Sequence, residues 1–231
     1  MQNKNINNTD SADKNDEMAA LEAEVRDALA HGTHIQETVH RLTLKAMNAR
    51  NLDVDSLQRI ITAVIQGVQD GAQQTLQHAS DQTHTAKSQI TEAIAGLDSA
   101  LAGFAEASKL AVEEAAGRAK KFSDQELTRT RTDLESLESL FLDTLNNTAS
   151  ATKGLVSDIF HDLAGHAQRN GTAVGRQLKE TIAIFAQQMK SVGHTQLEMG
   201  VHLAHSTADF IHKLADGVLS GIKDRKKSDD Q

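Results

Sequence analysis

The chain contains no cysteine, proline, tryptophan or tyrosine, and its aromatic inventory is six phenylalanines. Without cysteine there is no disulfide framework, no thiolate zinc site, no iron–sulfur cluster and no cysteine nucleophile. Without proline, no position forces a helix to stop. The shortage of large rings disfavours a deep apolar catalytic pocket. Long hydrophobic runs are missing as well: the densest, Ile60 to Val68, is interrupted by Thr62, Gln66 and Gly67, well short of the ~18 residues that cross a bilayer. Residues Met1 to Glu17 are polar and show no secretory signal. These absences predict a soluble cytoplasmic protein with no transmembrane segment.

Excess positive charge is also lacking. Twenty-four Lys and Arg stand against 32 Asp and Glu, a net charge of −8, which disfavours nucleic acid as a partner because phosphate neutralisation needs clustered cations. The one dense basic group, Lys223, Arg225, Lys226 and Lys227, is interrupted by Asp224 and followed by Asp229 and Asp230.

What the chain does have is helix-forming material. Leu, Ile, Val and Phe make up 52 of 231 residues and Ala another 32, enough for a core, but a thin one, since Ala favours helix and brings little hydrophobic area. Residues 1–17 offer almost nothing apolar and read as a disordered arm. Two short helices are expected within 18–50. The first carries Met18, Leu21, Val25 and Leu29, with Gly32 as its stop. The second carries Ile35, Val39, Leu42 and Ala46, with Thr33 and Gln36 in a capping-box arrangement. Asn51 to Asp53 make a break, and Asp53 or Asp55 is placed to cap a third helix.

From there a long-helix bundle is predicted over 51–222, with helices at about 54–121, 124–169 and 172–222, followed by a charged disordered tail at 223–231. In the first long helix Leu76, Thr83, Ile90, Leu97 and Phe104 recur every seven residues, as do Ala72, Ala79, Ala86, Ala93, Ala100 and Ala107. Rows of that period predict a helix seam, with alanine permitting close approach. Ser123 and Glu126 suggest a cap after a hairpin, and Asn170-Gly171 a turn before the last helix. The fold class is therefore all-α: an elongated antiparallel helical bundle or coiled coil with long amphipathic helices and two short N-terminal ones.

Eleven histidines raise a metal question. His194, Glu198, His202, His205, Asp209, His212 and Asp216 fall within about 80° of one another at ~100° per residue. The row Val192, Met199, Leu203, Phe210 and Leu214 lies opposite, so the stripe reads first as a solvated face of His–carboxylate pairs, with metal binding as the competing role. Glu37-Thr-Val-His40 and Asp158-Ile-Phe-His161 have the spacing of a di-iron bundle. The first pair points away from its helix's apolar stripe. No catalytic residue and no cofactor is assigned.

The Ala-, Gln- and Thr-rich helices Ala93 to Ala119 and Gln177 to Ile222 resemble those of phasins, the bacterial proteins that coat polyhydroxyalkanoate granules. Residues 35–72, with Ile35-Gln-Glu-Thr-Val, Leu42-Thr-Leu-Lys-Ala and Val64-Ile-Gln-Gly-Val-Gln-Asp-Gly-Ala, are similar to segments of uncharacterised bacterial helical families. The phasin likeness implies a granule-associated protein that lays apolar helix faces on a polymer or lipid surface as a small homo-oligomer. The leading reading is a non-enzymatic association protein that either coats such a surface or self-assembles. A soluble coiled-coil scaffold for a protein partner is the alternative, and a His-rich metal-binding bundle the second.

Overall fold

The computed structural model describes residues 6–48, 53–78, 83–117 and 124–193. Among them the protein has eight helices and no strand: α1 (Ile6–His31), α2 (Ile35–Asn48), α3 (Val54–His78), α4 (Thr83–Gly117), α5 (Asp124–Glu135), α6 (Leu137–Ala151), α7 (Leu155–Asn170) and α8 (Ala173–Gly193). The all-α bundle expected from the sequence is the fold observed. One continuous apolar core runs from Leu21 in α1 to Phe185 in α8.

Several boundaries differ from expectation, each for a local reason. The stretch assigned to a disordered arm is helical from Ile6. No Gly or Pro lies between Ile6 and His31, so a helix anchored by Leu21, Val25 and Leu29 propagates toward the N-terminus at low cost per residue. The second helix begins at Ile35, with His34 in the cap position at φ +53. Thr33 is thus one residue too early to cap it, and the proposed Thr33–Gln36 box does not frame the helix start. Asp53 does cap α3, accepting the Ser56 N–H at 2.8 Å.

The single helix expected over 54–121 is two, α3 and α4, about 37 Å and 52 Å long at 1.5 Å per residue. Between them stand Ser80 and Asp81, residue types that favour helix starts over interiors; these lie outside the described residues. Seven-residue rows crossing this point do not require one rod. Folding back gives the α4 rows the partners that an isolated helix of roughly 100 Å would lack. The helix expected over 124–169 is likewise three. Ser136 separates α5 from α6, and Thr152 to Gly154 separate α6 from α7, where Gly154 takes φ +71. The break at Asn170-Gly171 falls as expected, with Gly171 at φ +78 and its N–H on the Ala167 carbonyl at 2.8 Å.

Two pairs of helices adjacent in sequence pack antiparallel, α1 with α2, where Lys45 reaches Glu24, and α6 with α7, where Ser157 donates to the Ala149 carbonyl. Two major pairs run parallel instead. On α3, Gly67 meets Glu22 and Val25 of α1, and Gly71 meets Arg26 and Leu29, so residue numbers rise together. Between α4 and α8, Asp98 meets Ala173 and Val174, while Ala105 meets Thr181. A buried amide fixes the level at which the N-terminal helices meet: Gln89 of α4 donates to the Leu29 carbonyl at 3.1 Å and accepts from Thr75 at 3.2 Å. It joins α1, α3 and α4 at one height and occupies a carbonyl of the last turn of α1.

Candidate functional site

The residues singled out in the heptad rows are mostly enclosed. Ala72, Ala86, Ala93, Ala100, Ile90 and Leu97 are fully buried, Ala107 is nearly so, and Leu76 and Phe104 are half-buried against the core. Ala79 lies outside the described residues. The structure divides this set: Ala72 and Leu76 belong to α3 and the rest to α4. α4 is the shared wall of the bundle, touching α2, α3, α7 and α8, which explains why small side chains recur along it.

The closest approaches are made at glycine. A Cβ placed at Gly67 would stand 2.5 Å from the Glu22 carbonyl oxygen and 2.9 Å from Val25 Cβ, and one at Gly96 would collide with the Gln36 carbonyl of α2. In the sequence these glycines look like weak points of a long helix. In the fold they are the contact points.

A polar junction that periodicity does not reveal forms where α4, α6 and α8 meet. Asp98 of α4 accepts the Ala173 N–H at 2.7 Å and the Val174 N–H at 2.9 Å. Thr172 accepts the Gly175 N–H at 2.8 Å and donates its hydroxyl proton to Glu138 of α6 at 2.6 Å, while the Arg176 N–H reaches the Thr172 carbonyl at 3.2 Å. All four N-terminal amides of α8 are therefore satisfied, two of them by a side chain from another helix. A Cβ at Gly175 would take the space of the Glu138 carboxylate, which would have to swing aside. One signal in the sequence points here: Asp98 is the single charged residue between Ala93 and Ala105.

Burial pushes the Asp98 carboxyl above the ordinary carboxylate range, and neighbouring Glu138 adds to this. The Val174 and Ala173 amides and Arg176 pull the other way without cancelling it. Asp53 behaves oppositely: burial is opposed and outweighed by hydrogen bonds from Ser56 and by Arg59, so its carboxyl is held low. Stability therefore depends on pH in opposite senses at the two sites. The proton-linked part of the Asp98 contribution is fully present below the unfolded value near 3.8 and is lost as pH rises through the folded value, while its two amide bonds remain. The Asp53 contribution is present above 3.8 and is lost as pH falls through its folded value. In urea titrations from about pH 2.5 to 7, D98N is expected to remove a stabilisation that grows toward acid. D53N should remove one that is lost below about pH 4 and grows toward neutral pH. Parallel pH profiles for the two variants would contradict at least one of the assignments.

A second polar feature lies between α2 and α4, an open groove of about 520 Å³ lined by His34, Gln36, Glu37, His40, Glu92 and Ser99. Burial lowers the basicity of His40, and Glu37 only partly restores it. Glu37 itself is exposed, as is His161, and the two Glu/Asp-x-x-His pairs do not converge inside the bundle. Among the described residues no group of three or more His, Asp or Glu is arranged to hold a metal ion. The stripe His194, Glu198, His202, His205, Asp209, His212 and Asp216 lies outside them. No helix among the described residues is long and apolar enough to cross a membrane.

No curated protein matches the chain, and no solved structure does. A family model does, over residues 11–228, which takes in all eight helices nearly end to end. The chain therefore belongs to the family described as a family of unknown function (DUF6781).

Proposed function

We propose that the protein acts by association and not by catalysis, as a bundle that keeps its apolar helix faces inside and lays them on an apolar surface, such as a storage granule, when it opens. The observation that supports this is how its apolar surface is disposed. Among the described residues Leu110, 54 % exposed, is the one large hydrophobic side chain left in water, although α2, α3, α7 and α8 are strongly amphipathic. The closed form turns several long apolar faces inward onto one core, in which Ala and Val share the seams with Leu, Ile and Phe. Where Ala lines a seam, as at Ala93, Ala100 and Ala105 of α4, less area is buried per residue than a Leu or Phe would bury, and that stretch is correspondingly easier to part. A phasin-like coat needs faces of this kind.

The charge balance narrows the surface to an uncharged one. Residues 123–162 carry 3 basic and 8 acidic side chains, net −5, whereas helices that bind anionic membranes are rich in Lys and Arg. The purified chain is expected to co-sediment with polyhydroxyalkanoate particles while retaining its far-ultraviolet helical signal. A fluorescent fusion should ring granules in cells that contain them. Diffuse fluorescence in granule-bearing cells, with all protein left in the supernatant, would instead favour the soluble scaffold whose seams stay closed around a protein partner.

A further inference from the structure

We infer that α8 is the part of the bundle that opens first, held shut by a clasp at its N-terminus in which Asp98 of α4 and Glu138 of α6 grip Ala173, Val174 and Thr172. The inference rests on the association reading, in that it names which helix leaves, but it concerns the protein in water and needs no surface to be tested.

Three observations carry it. The first is the uneven way α8 is attached. Its apolar row Val174, Leu178 and Phe185 lies on the core, packed mainly against α4, next against α5 and only slightly against α6. α5 in turn leans mainly on α8, so apart from the extensive α4 seam itself the two have little to release. The second is the joint. α7 and α8 are linked by Gly171 and Thr172 alone, and Gly171 at φ +78 has nothing within 4 Å of where a Cβ would stand, which leaves the pivot unobstructed.

The third is where the polar ties lie. Asp98 and the Thr172 hydroxyl satisfy three amides at the N-terminal end. Farther along, α8 is tied to α4 by the Thr181 hydroxyl on the Ala105 carbonyl at 3.1 Å and by an ion pair, Lys109 with Glu180, at 3.7 Å. The Glu180 side chain is 66 % exposed, and pairs of that kind hold weakly. The clasp is thus a stronger polar attachment of α8 than either of these two. Releasing it bares Val174, Leu178 and Phe185 together with the α4 surface around Ala105. That is an apolar face of the sort an uncharged polymer surface would cover.

The chain's lack of cysteine makes the test clean. Two core leucines serve as matched reporters: Leu178 in α8 and Leu42 in α2, both 4 % exposed. Thiol labelling of L178C in native buffer is expected to run at least ~10-fold faster than that of L42C under conditions where opening limits the rate. Adding D98A should speed L178C by a further ~10-fold and leave L42C unchanged, as expected for loss of a helix cap. Should D98A fail to fold, T172A, which removes both the Gly175 cap and the tie to Glu138, is expected to act the same way. Equal labelling of the two reporters, or equal acceleration of both by the clasp variants, would overturn the proposal by showing that α8 opens only with the whole molecule. Clasp opening without particle binding would leave the clasp standing and reject the granule surface.

Discussion

G67A is expected to destabilise the protein by about 2 kcal/mol, although the same exchange in an open helix stabilises it by up to ~1 kcal/mol. Gly67 sits in mid-helix in α3, where alanine is intrinsically preferred. The added methyl group would have to share space with the Glu22 carbonyl oxygen, 2.5 Å away, and with Val25. Neither neighbour is the far end of a flexible chain, so α1 must move away from α3, and overpacking of this kind costs about 1–3 kcal/mol. Gly103 supplies the control, since nothing lies within 4 Å of its missing Cβ. G103A is expected to raise the urea midpoint while G67A lowers it. Two increases would mean that α1 and α3 are not in backbone contact.

Overpacking the alanine wall of α4 should have an effect of similar size. A93L and A100L each place extra carbons at a site that is fully enclosed, at a cost of about 1–3 kcal/mol apiece. The double variant should fall well below either single one in chemical denaturation. A30L, at an exposed position on α1, is expected to stay within about 0.5 kcal/mol of the parent. Unchanged stability in the double variant would mean that the α4 row faces water.

The two experiments probe a part of the fold that is legible in the sequence and a part that is not. Periodicity identifies the right side chains: Ile90, Ala93, Leu97 and Ala100 are buried because an apolar row must find a partner, and that rule holds whatever the partner is. It does not say where the helix turns back, because Ala79, Thr83 and Ala86 keep the heptad rows running straight across the break. Nor does it distinguish a glycine that weakens a helix from one that lets a second helix touch it. At Gly67 the difference lies in Glu22 and Val25, on a helix far away in the chain. The junction at α8 is hidden for the same reason. An aspartate amid alanines and leucines is visible in the sequence, but its partners Ala173 and Val174 come 75 and 76 residues later. Caps supplied by a residue's own helix can be read locally, as with Asp53, whereas caps supplied by another helix cannot.

The parallel pairing of α4 with α8 also sets an order in time. Antiparallel neighbours such as α1 and α2 close as soon as their turn has been made, but α8 cannot meet α4 until α5, α6 and α7 have been synthesised. With 75 residues between Asp98 and Ala173 and synthesis at ~5–20 residues per second, α4 waits roughly 4–15 s for its principal partner. Through that interval its α8-facing flank is bare on a nascent chain whose first four helices are already able to pack. The molecule thus passes, once in every synthesis, through a state with the same flank uncovered, and any apolar surface near the ribosome meets the chain before the bundle has closed.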